Sequence, residues 1–307
     1  MGTILIGVDG SSRSEDAIVF GRQLADASDA NVLVANAYPY SDFPSRAAHS
    51  ADREQLRDGA LEIVREMRCR LDLDERRSAV RIVADLSPAK ALHAMAEAED
   101  AALIVVGSTH TGRVRRVLPG STGERLIHGS PCAVAVVPKE YRKHAGPLRR
   151  VGVAYNGTPE ARAAAFAAAE FARALGGELI VIGVADALAY SAPALMSGAD
   201  AARLREEVDG HIQASLDALV ADLLGGVTAS SVRLTGDPAE AIADYSEQLD
   251  LLVVGSRGYG PLRSVLVGGV SGRVIRSAHC PVIVLPRGSE AALAGVFASS
   301  ASAGAVS

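Results

Sequence analysis

Residues 102–108 read Ala102-Leu103-Ile104-Val105-Val106-Gly107-Ser108, and residues 250–256 read Asp250-Leu251-Leu252-Val253-Val254-Gly255-Ser256. Each holds a continuous apolar run, rich in branched side chains, that stops at a glycine. Such a run reads as a strand buried on both faces of a parallel sheet. The two copies lie 148 residues apart. Working outward, Val117-Leu118-Pro119-Gly120 and Val265-Leu266-Val267-Gly268 keep the offset of 148, as do residues 132–138 and 280–286. Nearer the front, Ile6-Gly7-Val8-Asp9-Gly10-Ser11 matches Val153-Ala154-Tyr155-Asn156-Gly157-Thr158 at an offset of 147. An offset shared by both ends and the middle marks the duplication of one unit.

Within each unit, strands and helices alternate. Residues 3–8, 31–37, 80–84, 103–106 and 133–137 read as strands, and so do 150–155, 178–184, 229–235, 251–254 and 281–285. Between them, Ser11, Ser12 and Ser14 offer caps to a helix near 14–28. Residues 50–72 form a charged amphipathic helix, Ser87-Pro88 opens another with proline in its first turn, and 121–128 is a short one. The pattern predicts an α/β chain of two tandem, doubly wound, five-stranded parallel-sheet domains, over residues 1–140 and 148–287. Residues 139–150 are a polar, basic linker, and the Ala/Gly/Ser-rich stretch 288–307 is expected to be a loose, flexible tail.

Composition narrows the class. At 307 residues the chain has room for two domains, and 49% hydrophobic residues provide their cores. Aromatics make up only 4% and Trp is absent, so those cores are Val, Ile, Leu and Ala. A net charge of −5 argues against a general nucleic-acid binder. The 3 cysteines, Cys69, Cys132 and Cys280, have neither a disulfide framework nor metal-ligand spacing, which suits a reducing cytoplasm. Neither a signal peptide nor a membrane-spanning run is expected.

In such a sheet, ligands sit beyond the carboxyl ends of the strands where strand order reverses. Those ends carry Asp9, Asn36, Asp85 and Gly107 in the first half, and Asn156, Val184, Asp237 and Gly255 in the second. After the fourth strand, Gly255 and Gly258 precede nine residues and then Gly268-Gly269; the first half has Gly107, His110, nine residues, then Gly120-Ser121-Thr122. A glycine loop leading into a helix start is an anion trap, because its amides turn inward beside the positive helix end. Glycines after a strand also serve simply as turn residues, and duplication copies both kinds. Asp85 and Asp237 read as caps of the helices that follow them.

The Val-Asp-Gly-Ser strand end, the Gly-x2-Gly-x9-Gly-Ser/Thr loop and the closing Pro-Cys-x-Val strand together resemble the universal stress protein family over nearly all of both halves. The resemblance implies an adenine-nucleotide α-hydrolase-like, Rossmann-like fold and, in one branch, ATP as ligand with Mg2+ as its companion. It places the nucleotide-binding roles on Val8, Asp9, Asn36, Gly107, Ser108, His110, Gly120, Ser121 and Thr122. In the second half they fall on Asn156, Val184, Gly255, Ser256, Gly258, Gly268, Gly269 and Val270. It further implies that the fifth strands, 133–137 and 281–285, pair as an intramolecular pseudo-dimer, or that the chain forms a homodimer.

Three positions depart from the family pattern. His110 stands for a glycine, at a cost of about 1–2 kcal/mol if the site needs positive φ. Asn156 replaces Asp, and Gly269 replaces the hydroxyl residue, each lost hydrogen bond being worth about 0.5–1.5 kcal/mol. These penalties are comparable and leave the halves unranked. The Walker loop fails at Gly107-x4-Gly112-Arg113 for want of Lys, and Gly120-Ser121-Thr122-Gly123 is no hydrolase elbow. Carboxylate pairs, metal clusters and activated nucleophiles do not repeat in both halves. The expectation is a cytoplasmic, adenine-nucleotide-binding stress-response regulator that is not an enzyme, contacting neither nucleic acid nor membrane. An interaction module that has lost nucleotide binding, and a slow ATPase, are the alternatives.

Overall fold

The computed structural model describes residues 2–40, 50–108, 117, 119–186, 198–223, 226–255 and 269–301. In the first half the order is β1 (Thr3–Gly7), α1 (Ser12–Asp26), β2 (Asn31–Tyr38), α2 (Ser50–Leu71), β3 (Ser78–Ala84), α3 (Pro88–Ala98), β4 (Ala101–Gly107), α4 (Ser121–Gly129) and β5 (Ala133–Val137). The second half follows with β6 (Arg150–Ala154), α5 (Pro159–Ala174), β7 (Glu178–Asp186), α6 (Gly198–Leu223), β8 (Thr228–Gly236), α7 (Pro238–Tyr245), β9 (Leu251–Gly255), α8 (Gly269–Ser277) and β10 (Val282–Leu285). A last helix, α9, spans Glu290–Ala301.

Each half is a parallel sheet, and the two join into one sheet of ten strands ordered β3-β2-β1-β4-β5-β10-β9-β6-β7-β8. The joint is antiparallel, with Val282 opposite Val136, Ile283 opposite Ala135 and Val284 opposite Val134. The fifth strands therefore pair within the chain. Every one of these strand residues is buried, which explains why both runs are wholly apolar rather than alternating. One face of the sheet is covered by α1, α2, α5, α6 and α9, whose buried Phe20, Met67, Phe171, Leu216 and Phe297 share one core cluster. The other is covered by α3, α4, α7 and α8 through Leu92, Leu126, Ile242 and Ile275. No helix among the described residues is long and apolar enough to cross a membrane.

The stretch expected as a flexible tail is instead α9, up to Ala301. Its composition is low in complexity, but Leu293, Val296 and Phe297 recur at helical spacing and are all buried. Phe297 lies against Phe171 of α5 with ring centroids 4.0 Å apart. Gly2 matters here as well, because a Cβ on it would meet Val296 Cγ2 at 2.3 Å. The helix thus touches the start of the first half as well as the second.

The linker is anchored rather than free. Asp16, only 1% exposed, accepts hydrogen bonds from the Glu140 and Arg142 amides at 2.9 and 3.0 Å and from the Arg142 guanidinium at 3.0 Å. Tyr141 meets Phe20 edge to face with centroids 5.8 Å apart.

Cys132 and Cys280 are buried and Cys69 is exposed. Burial pushes the Cys132 thiol up to about 11 and drives that of Cys280 higher still. A thiol-specific reagent is expected to modify Cys69 alone in the native chain and all three cysteines once urea unfolds it. Rapid native labelling of a second thiol would contradict the closed β5–β10 joint.

Candidate functional site

The order 3-2-1-4-5 reverses between β1 and β4, and its repeat reverses between β6 and β9. A crevice opens at each switch point. Because all strands of a half run the same way, the helices that follow them begin at that edge, and three of them line each crevice: α1, α3 and α4 in the first half, α5, α7 and α8 in the second. Their N-terminal amides give each crevice a positive bias.

The first crevice has a volume of about 270 Å3 and is lined by Val8, Asp9, Asn36, Gly107, Gly120, Ser121 and Thr122, all expected from sequence. Asp9 is already engaged. Its Oδ1 accepts from the Ser11 amide at 3.0 Å and the Ser14 hydroxyl at 2.8 Å, and its Oδ2 from Arg13 Nη2 at 2.7 Å. Burial pushes the Asp9 carboxyl up, but hydrogen bonds from Ser11 and Ser14 and the Arg13 charge outweigh it and hold it below the usual carboxylate range. Gly10 turns the chain at φ +78°, a conformation that favours glycine. Asn36 is buried, and its Nδ2 donates to the Val8 carbonyl at 2.7 Å. The helix α4 has Gly120 as its cap, and its first intrahelical bond runs from the Glu124 amide to the Gly120 carbonyl at 2.8 Å. The amides of Ser121, Thr122 and Gly123 thus stand ahead of that ladder, at the crevice wall.

The second crevice is larger, about 430 Å3, and is lined by Asn156, Val184, Gly255, Gly269 and Val270 from the expected set. Asn156 Oδ1 accepts from the Thr158 hydroxyl at 2.7 Å, and Gly157 repeats the turn at φ +79°. The Asp-to-Asn change between halves therefore keeps the turn, because one carboxamide oxygen suffices for it. Charge is what differs. Arg13 beside Gly107 is matched by Glu160 beside Gly255, so a cation in one crevice stands where the other has an anion.

Several expected residues fall elsewhere. Ser108 is 1% exposed and its amide donates to the Val137 carbonyl at 2.8 Å, so it belongs to the sheet rather than the crevice lining. His110, Ser256, Gly258 and Gly268 lie outside the described residues. The Tyr155 amide bonds the Ile182 carbonyl as the Val8 amide bonds that of Ala35, which makes Gly183, not Val184, the counterpart of Asn36. Asp237 caps α7 through the Ala239 and Glu240 amides. Asp85 does not cap α3. It accepts from the Ser87 amide at 2.8 Å, and the Ser87 hydroxyl is the cap, because Pro88 at the first helical position puts the cap at the residue before it.

Other lining residues were not anticipated: Arg13, Ser14, Pro88 and Leu92 in one crevice, Tyr155, Ile242, Ser271 and Arg273 in the other. Arg273 Nη2 meets Asp237 Oδ2 at 2.8 Å, and the Arg125 guanidinium reaches the Ser87 hydroxyl at 3.5 Å. In both halves an arginine of the short helix holds the cap of the neighbouring one. The recurrence of Arg125 as Arg273, again 148 residues on, was the signal available in the sequence. Arg273 and the Glu240 amide hold the Asp237 carboxyl below its usual range. That ion pair is accordingly in place above the ordinary carboxylate range and is lost only as pH falls through the depressed value.

Two doubly wound units joined edge to edge, each with a crevice at its switch point, define a tandem α/β protein with one candidate ligand site per half. The sequence profile of the universal stress protein family matches residues 1–138 and again residues 147–286. The chain belongs to that family. Universal stress protein Rv2319c of Mycobacterium tuberculosis is 31% identical over 201 residues, covering 61% of this chain and 65% of that protein, just under two thirds of its length. Universal stress protein Rv2005c of the same organism is 28% identical over 295 residues, covering 92% of this chain and 96% of the relative. The crystal structure of a universal stress protein from Archaeoglobus fulgidus shares the fold, with a TM-score of 0.66 at 21% identity over 93% of this chain and 98% of that one.

Proposed function

We propose that the chain binds adenine nucleotide, ATP foremost, in these crevices and acts as a cytoplasmic stress-response regulator rather than as an enzyme. The observation that carries the reading is the pairing, in both halves, of a crevice at the switch point with the first turn of a short helix. Helix N-termini bind phosphate through exposed amides and the helix dipole. Drug-sized ligands occupy roughly 300–1,000 Å3. The second crevice, about 430 Å3, fits that range, and the first, about 270 Å3, lies just below it. Hydroxyls of Ser121, Thr122 and Ser271 add donors. The apolar walls, Val8 and Leu92 in one crevice and Val184 and Ile242 in the other, suit a base. Mg2+ would arrive on the phosphates, since Asp9 is already engaged by Arg13, Ser11 and Ser14.

Gly269→Glu tests the assignment. A Cβ at Gly269 meets nothing within 4 Å, so the fold accommodates the change, and a carboxylate in the first turn of a helix is mildly stabilising. The same carboxylate repels a phosphate at the wall. We expect calorimetry to record one of two ATP sites weakened about tenfold or more, equivalent to about 1.4 kcal/mol, with an unchanged melting temperature. Ser121→Glu is expected to do the same to the other site. ATP affinity unaltered by both substitutions refutes the assignment, and a chain that takes up no ATP at millimolar concentration is an interaction module of the same fold.

A further inference from the structure

We propose that the anion end of the first crevice is completed by the second half of the chain, with Arg276 as the positioning residue; this rests on the nucleotide reading above. The helix α4 presents its first turn to the first crevice, but that turn also carries Glu124, whose charge opposes any phosphate bound there. Arg276, in the last turn of α8, approaches Glu124 Oε1 to 3.7 Å. Both side chains are about half exposed, at 48% each, so the pair contributes little to stability. Its effect on a neighbouring anion is different. With Arg276 in place the turn shows an incoming phosphate no net charge from this pair; without it the Glu124 charge in that turn loses this partner, and salt screens what remains over a Debye length of about 8 Å at physiological strength.

A second tie fixes the same region. Val117, fully buried and three residues before the Gly120 cap, donates its amide to the Ala278 carbonyl at 2.8 Å. Ala278 directly follows α8, and its own amide closes that helix on the Val274 carbonyl at 2.8 Å. The chain entering α4 is thus hydrogen-bonded to the end of α8. The ion pair has no mirror image. At the offset of 148, Glu124 is matched by Gly272 and Arg276 by His128. Gly272 carries no charge to neutralise, and His128 Nδ1 lies 2.6 Å from the Glu124 carbonyl of its own helix. The dependence therefore runs one way, from the second half to the first crevice.

The experiment uses the full chain carrying Gly269→Glu, so that the ATP site which this change leaves unweakened in calorimetry reads the first crevice. Adding Arg276→Gln is expected to weaken ATP about fivefold at low ionic strength, with the difference shrinking as salt is raised. Adding Glu124→Gln as well is expected to restore affinity to within about twofold, because no charge is then left uncompensated. Affinity unmoved by Arg276→Gln overturns the proposal, and so does a loss that Glu124→Gln fails to rescue, which marks a merely structural role. Absence of ATP binding by the unmodified chain overturns the nucleotide reading first and this proposal with it. ATP bound in the first crevice at an affinity indifferent to residue 276 overturns this proposal alone.

Discussion

Phe297→Ala is expected to destabilise the chain by about 3–5 kcal/mol, the range for deleting a fully buried phenyl ring. Phe297 is 1% exposed and rests on Phe171, itself fully buried. Apart from Glu290, Leu293 and Val296, the rest of α9 is Ala, Gly and Ser, and of the buried side chains among its described residues Phe297 is the largest. Removing it leaves a void that Ala and Ser cannot close, and loosens a helix that also packs on Gly2. Urea unfolding monitored by circular dichroism measures the loss. A change below about 1 kcal/mol, as for an ordinary surface substitution, would return this segment to the status of a loose tail.

The second large effect contrasts two glycines that occupy the same place in the repeat. A Cβ on Gly107 would sit 2.4 Å from the backbone carbonyl oxygen of Arg13, at the first turn of α1. Backbone cannot swing aside as a side-chain tip can, so Gly107→Ala is expected to cost about 1–3 kcal/mol. On Gly255 the nearest atom is the Glu160 carbonyl oxygen at 3.4 Å, an ordinary contact, and its backbone is not left-handed. There Gly255→Ala is expected to be neutral or to stabilise by about 0.4–1 kcal/mol, by restricting the unfolded chain. Thermal melts of the two variants side by side decide it. Equal losses would mean that the close helix approach, which distinguishes Gly107, does not set the cost.

The strand-helix alternation was readable because buried parallel strands are long apolar words between polar ones, and the duplication doubled every clue. Asn31–Tyr38 and Ala133–Val137 needed nothing beyond that. Crevice residues at strand ends, such as Asp9 and Gly107, were readable because parallel topology dictates where ligands go. What stayed hidden depends on contacts between distant segments. Neither Arg13 nor Asp9 announces their ion pair, since a Ser-Arg-Ser run before a helix reads only as a capping region. Nothing in the sequence around Asp16 marks it as buried, because the amides that satisfy it, from Glu140 and Arg142, come from the distant linker. The α9 helix was masked by composition, since three well-spaced apolar residues among Ala, Gly and Ser carry little weight in a count. The tie from Val117 to Ala278 is a backbone hydrogen bond, and side-chain identity is silent about those.

The antiparallel ladder between β5 and β10 lies inside one polypeptide, so dilution does not lower the concentration at which its two members meet. Stoichiometry between the halves is settled at translation, and copies that differ, such as those with Asp9 against Asn156 or Arg13 against Glu160, are joined across that ladder in one chain. Fusion thereby makes room for division of labour. Each half can drift toward its own task while the other keeps the joint intact.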